Sequence, residues 1–186
     1  MLVLNEDQVM LKDAAAGFLS GKATVSHLRA LRDSEDETGF DPAVWREMSE
    51  MGWAGIAIPE SYGGLGYGYA GLGLVLEQAG RNLSASPLES SVLVAATTLA
   101  ALGTESQKEE WLPEIASGEK VLTLALQENA HHAPLRTEVR ATRDGDGYVL
   151  EGSKCFVADA HIADAFIVIA RTQGEVGAEH GLSAFL

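Results

Sequence analysis

The sequence predicts an α+β protein in two parts: an all-α helical bundle domain over residues 1–120, then a partial antiparallel β-barrel-like domain over residues 121–186. Three observations predict it. The apolar period is helical as far as Lys120 and changes afterwards, to a short apolar run at 121–126 and alternation at 138–143 and 148–151. Capping and stop residues bracket helix-length segments in the first part, whereas Asp144-Gly145-Asp146-Gly147 supplies hairpin-turn chemistry in the second. The charge also divides unevenly, with 18 acidic and 8 basic side chains in residues 1–120 against 9 and 5 in residues 121–186.

The first helix is predicted from Asn5 to Ser20. Asn5 is a capping residue, Glu6 and Asp7 sit in the first turn where the helix dipole favours negative charge, and Val9, Met10, Phe18 and Leu19 lie among alanines. Asp41 followed by Pro42 predicts a second helix over 42–51 that buries Val44, Trp45 and Met48 and closes at Gly52. Between them, the run Asp33-Ser34-Glu35-Asp36-Glu37 reads as a solvated turn. Residues 69–82 are apolar nearly all round, as in a helix buried in a bundle. Ser90–Leu102 has the same composition and ends at Gly103. Thr104 and Gln107 form a capping box for a last helix running through Trp111 and Ile115 to Ser117-Gly118. Strands are then predicted at 121–126, 138–143, 148–151, 165–170 and 182–186. The last of these ends on an apolar run without turn or cap, so an unfinished β-domain is expected.

Composition excludes several classes. With 46% hydrophobic residues in a chain of 186, the protein can bury a sizeable core and is not disordered. A net charge of −14 opposes approach to nucleic acid or to an anionic membrane surface, so neither partner is expected. The longest apolar candidate, Val92–Leu102, is about half of what a membrane span needs. Cys155 is the only cysteine, which precludes an intrachain disulfide and fits a reducing, cytoplasmic setting.

Isolated motifs carry little chemistry. Gly66-Tyr67-Gly68-Tyr69-Ala70-Gly71 matches a dinucleotide-binding turn, yet seven residues separate it from the apolar segment at 55–58, and more helix follows it where a second strand is required. His131, His132, His161 and His180 lack the spacing of a metal site. Cys155 reads as a small buried hydrophobe.

Taken together, a set of residues resembles a known family. Ile58-Pro59-Glu60 with Gly63-Gly64 and Gly66, Glu77 with Gly80-Arg81, Gly103-Thr104-Glu105 with Gln107-Lys108, and Trp111-Leu112-Pro113 with Ile115-Ala116-Ser117-Gly118-Glu119 look like the N-terminal helical domain of the acyl-CoA dehydrogenases. Leu150 to Val157 and Gly181 to Leu186 resemble strands of that family's middle β-domain. The resemblance implies an oligomeric oxidoreductase of fatty acid metabolism that binds FAD between its middle domain and a C-terminal four-helix domain absent from these residues. A Glu base, usually from that absent domain, removes the α-proton of an acyl-CoA thioester, and the β-hydrogen leaves as hydride to the flavin. An electron-transfer flavoprotein is then the acceptor. No carboxylate here takes the role of the base.

By resemblance, Leu124, Leu126, Gln127, Ala133, Phe156 and Ala158 occupy flavin-contacting positions. Several depart from the family pattern. Where the family has Thr-Glu-Pro-x-x-Gly-Ser-Asp, this chain has Gln127-Glu128-Asn129-Ala130-His131-His132-Ala133-Pro134, so Glu128 survives while the Gly-Ser pair becomes His132-Ala133. Phe156-Val157 keeps the aromatic-aliphatic pair beside the flavin ring, but Ala158 lacks the hydroxyl that follows it in the family. Two expectations follow from the resemblance. One is a dehydrogenase component that is inactive as this chain alone. The other is a non-catalytic, flavin-poor assembly subunit of a heteromeric acyl-CoA dehydrogenase. Acyl-CoA oxidases and some flavin monooxygenases share the fold.

Overall fold

A computed structural model describes residues 3–186. The chain divides into two compact units, Met1–Val121 and Leu122–Leu186.

The first unit is helical. Helix α1, Glu6–Lys22, begins with a capping box: Asn5 Oδ1 accepts the Gln8 N–H at 2.8 Å and Gln8 Oε1 accepts the Asn5 N–H at 3.1 Å. Helix α2, Val25–Asp33, is a departure from the sequence reading, which placed no helix there. Its Thr24 hydroxyl caps the His27 N–H at 3.3 Å, and Val25, Leu28 and Leu31 are half-buried at helical spacing. None of its residues is fully buried, but the Thr24 cap and the apolar stripe are a readable amphipathic signal that the charge run beside it obscures. That run is exposed, as expected of a solvated turn. Within it the Asp36 carboxylate accepts the Thr38 hydroxyl and the Thr38 and Gly39 amides. These bonds, the Thr38 hydroxyl foremost, hold the Asp36 carboxyl below the usual carboxylate range.

Helix α3, Pro42–Glu50, has Asp41 accepting the Ala43 N–H at 2.8 Å and proline in its first turn. Helix α4, Gly68–Asn82, packs on α1 and buries Leu72, Leu74, Val75 and Ala79. Between α3 and α4 the chain folds tightly upon itself: Leu65 donates to the Gly55 carbonyl at 2.9 Å and Gly66 to the Ile58 carbonyl at 2.9 Å. Gly64 is required there, because a Cβ would lie 2.1 Å from the Ile58 carbonyl oxygen. Among the described residues no strand precedes the glycine-rich stretch, as the reading against a dinucleotide-binding turn requires.

The predicted helix 90–102 is two elements. Leu88–Ala95 is a π-helical segment and continues directly into α5, Ala96–Leu102. Helix α6, Glu105–Ser117, keeps its predicted box, with Thr104 Oγ1 accepting the Gln107 N–H at 3.3 Å and Gln107 Oε1 accepting the Thr104 N–H at 3.0 Å. Replacing Thr104 by Ala is expected to lower stability by about 1 kcal/mol, read as a shift of the urea midpoint at constant slope. The core joins α1, α3, the 53–56 turn, α4 and the π-helical segment through Leu19, Met48, Trp53, Leu72, Val75 and Val92. Phe18 meets Trp53 edge-on at 5.5 Å.

The second unit is a five-stranded sheet of β1 Leu122–Ala125, β2 Arg140–Asp144, β3 Gly147–Glu151, β4 Ala165–Arg171 and β5 Leu182–Phe185. The fold class needs two corrections. The sheet is mixed rather than antiparallel, since β1 and β2 both run parallel to β4 while β2–β3 and β4–β5 are antiparallel. It is also open among the described residues, in the order β1-β4-β2-β3 with β5 on β4, so the barrel-like closure is not found. A short apolar or alternating run does not by itself declare its partner's direction, and the chain between β1 and β4 is long enough for a crossover. The hairpin is as predicted: Asp144 pairs with Gly147, and Gly145 takes φ +59° in the two-residue turn. Val139, Ala141 and Ala170 form a small core against Phe185, whose ring meets Tyr148 at 4.9 Å.

Candidate cofactor site

The second unit ties three separate segments together beside β1. Lys154 Nζ donates to the Glu128 carboxylate at 2.6 Å and to the Leu126 carbonyl at 3.1 Å, while the Cys155 N–H donates to the Gln127 carbonyl at 2.8 Å. Farther along the same segments, the Thr123 hydroxyl donates to the Ala158 carbonyl at 2.6 Å. Residues 123–128 and 154–158 are therefore held side by side at three points. The third segment enters through Glu128, which also accepts the Glu138 N–H at 2.6 Å and the Val139 N–H at 3.1 Å.

The ion pair is nearly desolvated, with side-chain exposure of 8% for Lys154 and 11% for Glu128. Burial pushes the Glu128 carboxyl up, but the Lys154 ammonium and the two amides outweigh it and hold the group below the usual carboxylate range. Glu128 is thus a charged hub rather than a proton acceptor in waiting. Behind it, the wholly buried Arg171 guanidinium donates to the carbonyls of Thr137, Leu135, Ala178 and His180, and the Arg171 N–H donates to the Val139 carbonyl at 2.8 Å.

Of the sequence-predicted site residues, Leu124, Leu126, Gln127, Phe156 and Ala158 lie on the two tied segments. Leu124, in β1, and Leu126 and Gln127, just beyond it, are half-buried. Phe156 is 77% exposed and takes φ +53°, a left-handed conformation that costs a non-glycine residue on the order of 1–2 kcal/mol. The hydrogen bonds at Cys155 and Ala158 fix the chain on both sides of it, which is what sustains the strain and displays the ring. Ala158 is exposed and is placed by its carbonyl. Ala133 is half-buried in a different loop, set by a local turn in which its carbonyl accepts the Arg136 N–H at 2.9 Å.

Lys154 and Arg171 were not among the sequence candidates. The one signal for Lys154 is a lone cation beside the apolar Cys155-Phe156-Val157, and its partner lies 26 residues away.

Comparison with known proteins places this arrangement in a family. Residues 5–119 match the family model of the acyl-CoA dehydrogenase N-terminal domain, and residues 126–186 match that of the acyl-CoA dehydrogenase middle domain. The chain belongs to the acyl-CoA dehydrogenase family. Isovaleryl-CoA dehydrogenase, a mitochondrial protein of Pongo abelii, is 32% identical over 98% of this chain and 44% of its own length. Among solved structures, a chain of the ChsE4-ChsE5 complex from Mycobacterium tuberculosis superposes with a TM-score of 0.83 at 32% identity, covering 98% of this chain and 47% of that one. The acyl-CoA dehydrogenase complexed with FAD from Bacillus anthracis gives 0.78 at 26% identity, over 98% of this chain and 31% of that one. The chain thus spans less than half the length of these relatives. Both tied segments and the exposed Phe156 belong to, or directly border, the stretch matched by the middle-domain model. No helix among the described residues is long and apolar enough to cross a membrane.

Proposed function

We propose that this chain supplies the N-terminal helical domain, residues 1–120, and middle-domain strands, residues 121–186, of a flavoprotein that dehydrogenates an acyl-CoA thioester between its α and β carbons. The observation that carries the reading is Phe156, an exposed aromatic ring held in a strained backbone conformation beside Gln127 by a hydrogen-bonded platform. A flat apolar ring displayed with main-chain polar groups around it suits one face of an isoalloxazine.

The residues present fit FAD at the ring end and less fully at the pyrophosphate end. Phe156 would pack against the ring, Leu124 and Leu126 would contribute main-chain groups, and the Gln127 side chain would donate a hydrogen bond. Ala133 offers only its main-chain N–H, and Ala158 has no hydroxyl to give. When bound, FAD supplies hydride acceptance, which no side chain can provide. This chain's own part is to orient the ring and keep water from one face of it. Glu128, engaged by three donors, does not serve as the proton-abstracting base. In this reading an electron-transfer flavoprotein reoxidises the flavin, the protein works as a homo- or hetero-oligomer with related subunits, and the setting is cytoplasmic.

A second reading, a non-catalytic and flavin-poor assembly subunit, is favoured by the missing hydroxyls at Ala133 and Ala158. Titration with FAD separates the two. Stoichiometric uptake with a protein-perturbed visible flavin spectrum is expected on the first reading, and no uptake supports the second.

A further inference from the structure

Glu128 and Lys154 touch the platform without belonging to its exposed surface. Lys154 Nζ reaches the Glu128 carboxylate and the Leu126 carbonyl on one side, while the next residue, Cys155, donates to Gln127. The carboxylate spends its remaining capacity on the amides of Glu138 and Val139. One nearly buried ion pair thus fixes three stretches of chain that are otherwise separated by 10 to 28 residues.

We infer that the Glu128–Lys154 pair is a positioning device that preorganises the Gln127 and Phe156 segments as one rigid surface. Its bearing on flavin affinity rests on the function proposed above; its bearing on rigidity does not. A surface ion pair would have little such effect, because solvent screens it and the side chains keep their freedom. Here both groups are desolvated and hydrogen-bonded to main chain at once, so losing either charge leaves the other without its partner and frees the loops it holds. Preorganisation lowers the entropy that a ligand must remove on binding.

The test uses the full chain and the variants Lys154→Met, Lys154→Arg and the doubly neutral Glu128→Gln with Lys154→Met, which retains a folding route if the single loss of charge does not. Amide hydrogen exchange is read for residues 126–128, 137–139 and 154–158, with the β2–β3 hairpin and the helices as internal references. Exchange in the three segments is expected to rise at least tenfold in Lys154→Met and in the double variant, with the references unchanged and with Lys154→Arg close to the parent. The FAD dissociation constant, from flavin fluorescence, is expected to rise at least tenfold in the same two variants. Exchange within twofold of the parent in those segments overturns the positioning role. Increased exchange with unchanged FAD affinity overturns its link to the cofactor. If the parent chain takes up no FAD, the flavin reading and the link fall together, while exchange still decides whether the pair is a lock.

Discussion

Replacing Arg171 by Met is expected to remove about 4 kcal/mol from the stability of the sheet-bearing unit. The guanidinium is fully buried and faces no carboxylate among its hydrogen-bond partners; its donors go to the main-chain carbonyls of Thr137, Leu135, Ala178 and His180. Methionine fills part of the volume but leaves those acceptors without donors in a site closed to water, and each such loss costs about 1–3 kcal/mol. The segments that come loose are specific. Residues 134–137 and 178–181 lose their shared anchor, whereas the Arg171 N–H bond to Val139, a main-chain contact, survives. Urea unfolding followed by the strand signal should show the lower stability. Hydrogen exchange should localise the change to those two loops, while the β2–β3 hairpin, held by its own register from Arg140–Glu151 to Asp144–Gly147, is little altered. Lys at this position would recover only part of the loss, since one ammonium cannot reproduce a planar fork of donors.

Local chemistry was legible in the sequence wherever cause and effect lie within a few residues. Asn5, Asp41 and Thr104 cap the helices that they precede, Gly52 and Gly118 follow the ends they were expected to close, and Gly145 turns the hairpin. Helix α2 was legible in the same way, from the Thr24 cap and the stripe Val25, Leu28 and Leu31, and escaped because the charge run that follows it reads as a turn. Strand direction escaped for a different reason: β1 and β4 lie in short, nearly continuous apolar runs, and such a run does not by itself say whether its partner runs up or down. The π-helical segment before α5 is likewise invisible, since its composition is that of any buried helix. In the candidate site, Gln127 and Phe156 could be picked out by resemblance, but what holds them could not. Glu128 stands out only as a surviving position of the family pattern, Lys154 reads as an ordinary surface charge, and the 26 residues between them hide the pairing.

That pair also sets an acid limit on the unit. Lys154→Met at pH 7 leaves the Glu128 carboxylate in a nearly closed site with two amides and no counter-charge, and the loss of one partner of such a pair costs about 3–5 kcal/mol. Removing both charges should cost less than removing one, so Glu128→Gln combined with Lys154→Met is expected to be more stable than Lys154→Met alone. Protonation of Glu128 in the parent protein works in the same direction as the loss of its charge. Because the folded state holds this carboxyl below the ordinary glutamate value of about 4.3, the unfolded chain binds the proton more readily. The stabilisation is therefore complete above that value and is lost as pH falls through it toward the depressed folded value. Asp36 shifts in the same direction, but it is exposed and belongs to the helical unit rather than to the sheet. Urea midpoints of the strand transition measured from pH 7 to pH 3 should fall steeply below about pH 4.5 in the parent and much less in Glu128→Gln. Equal acid slopes in the two proteins would mean that Glu128 does not carry the acid sensitivity of the sheet.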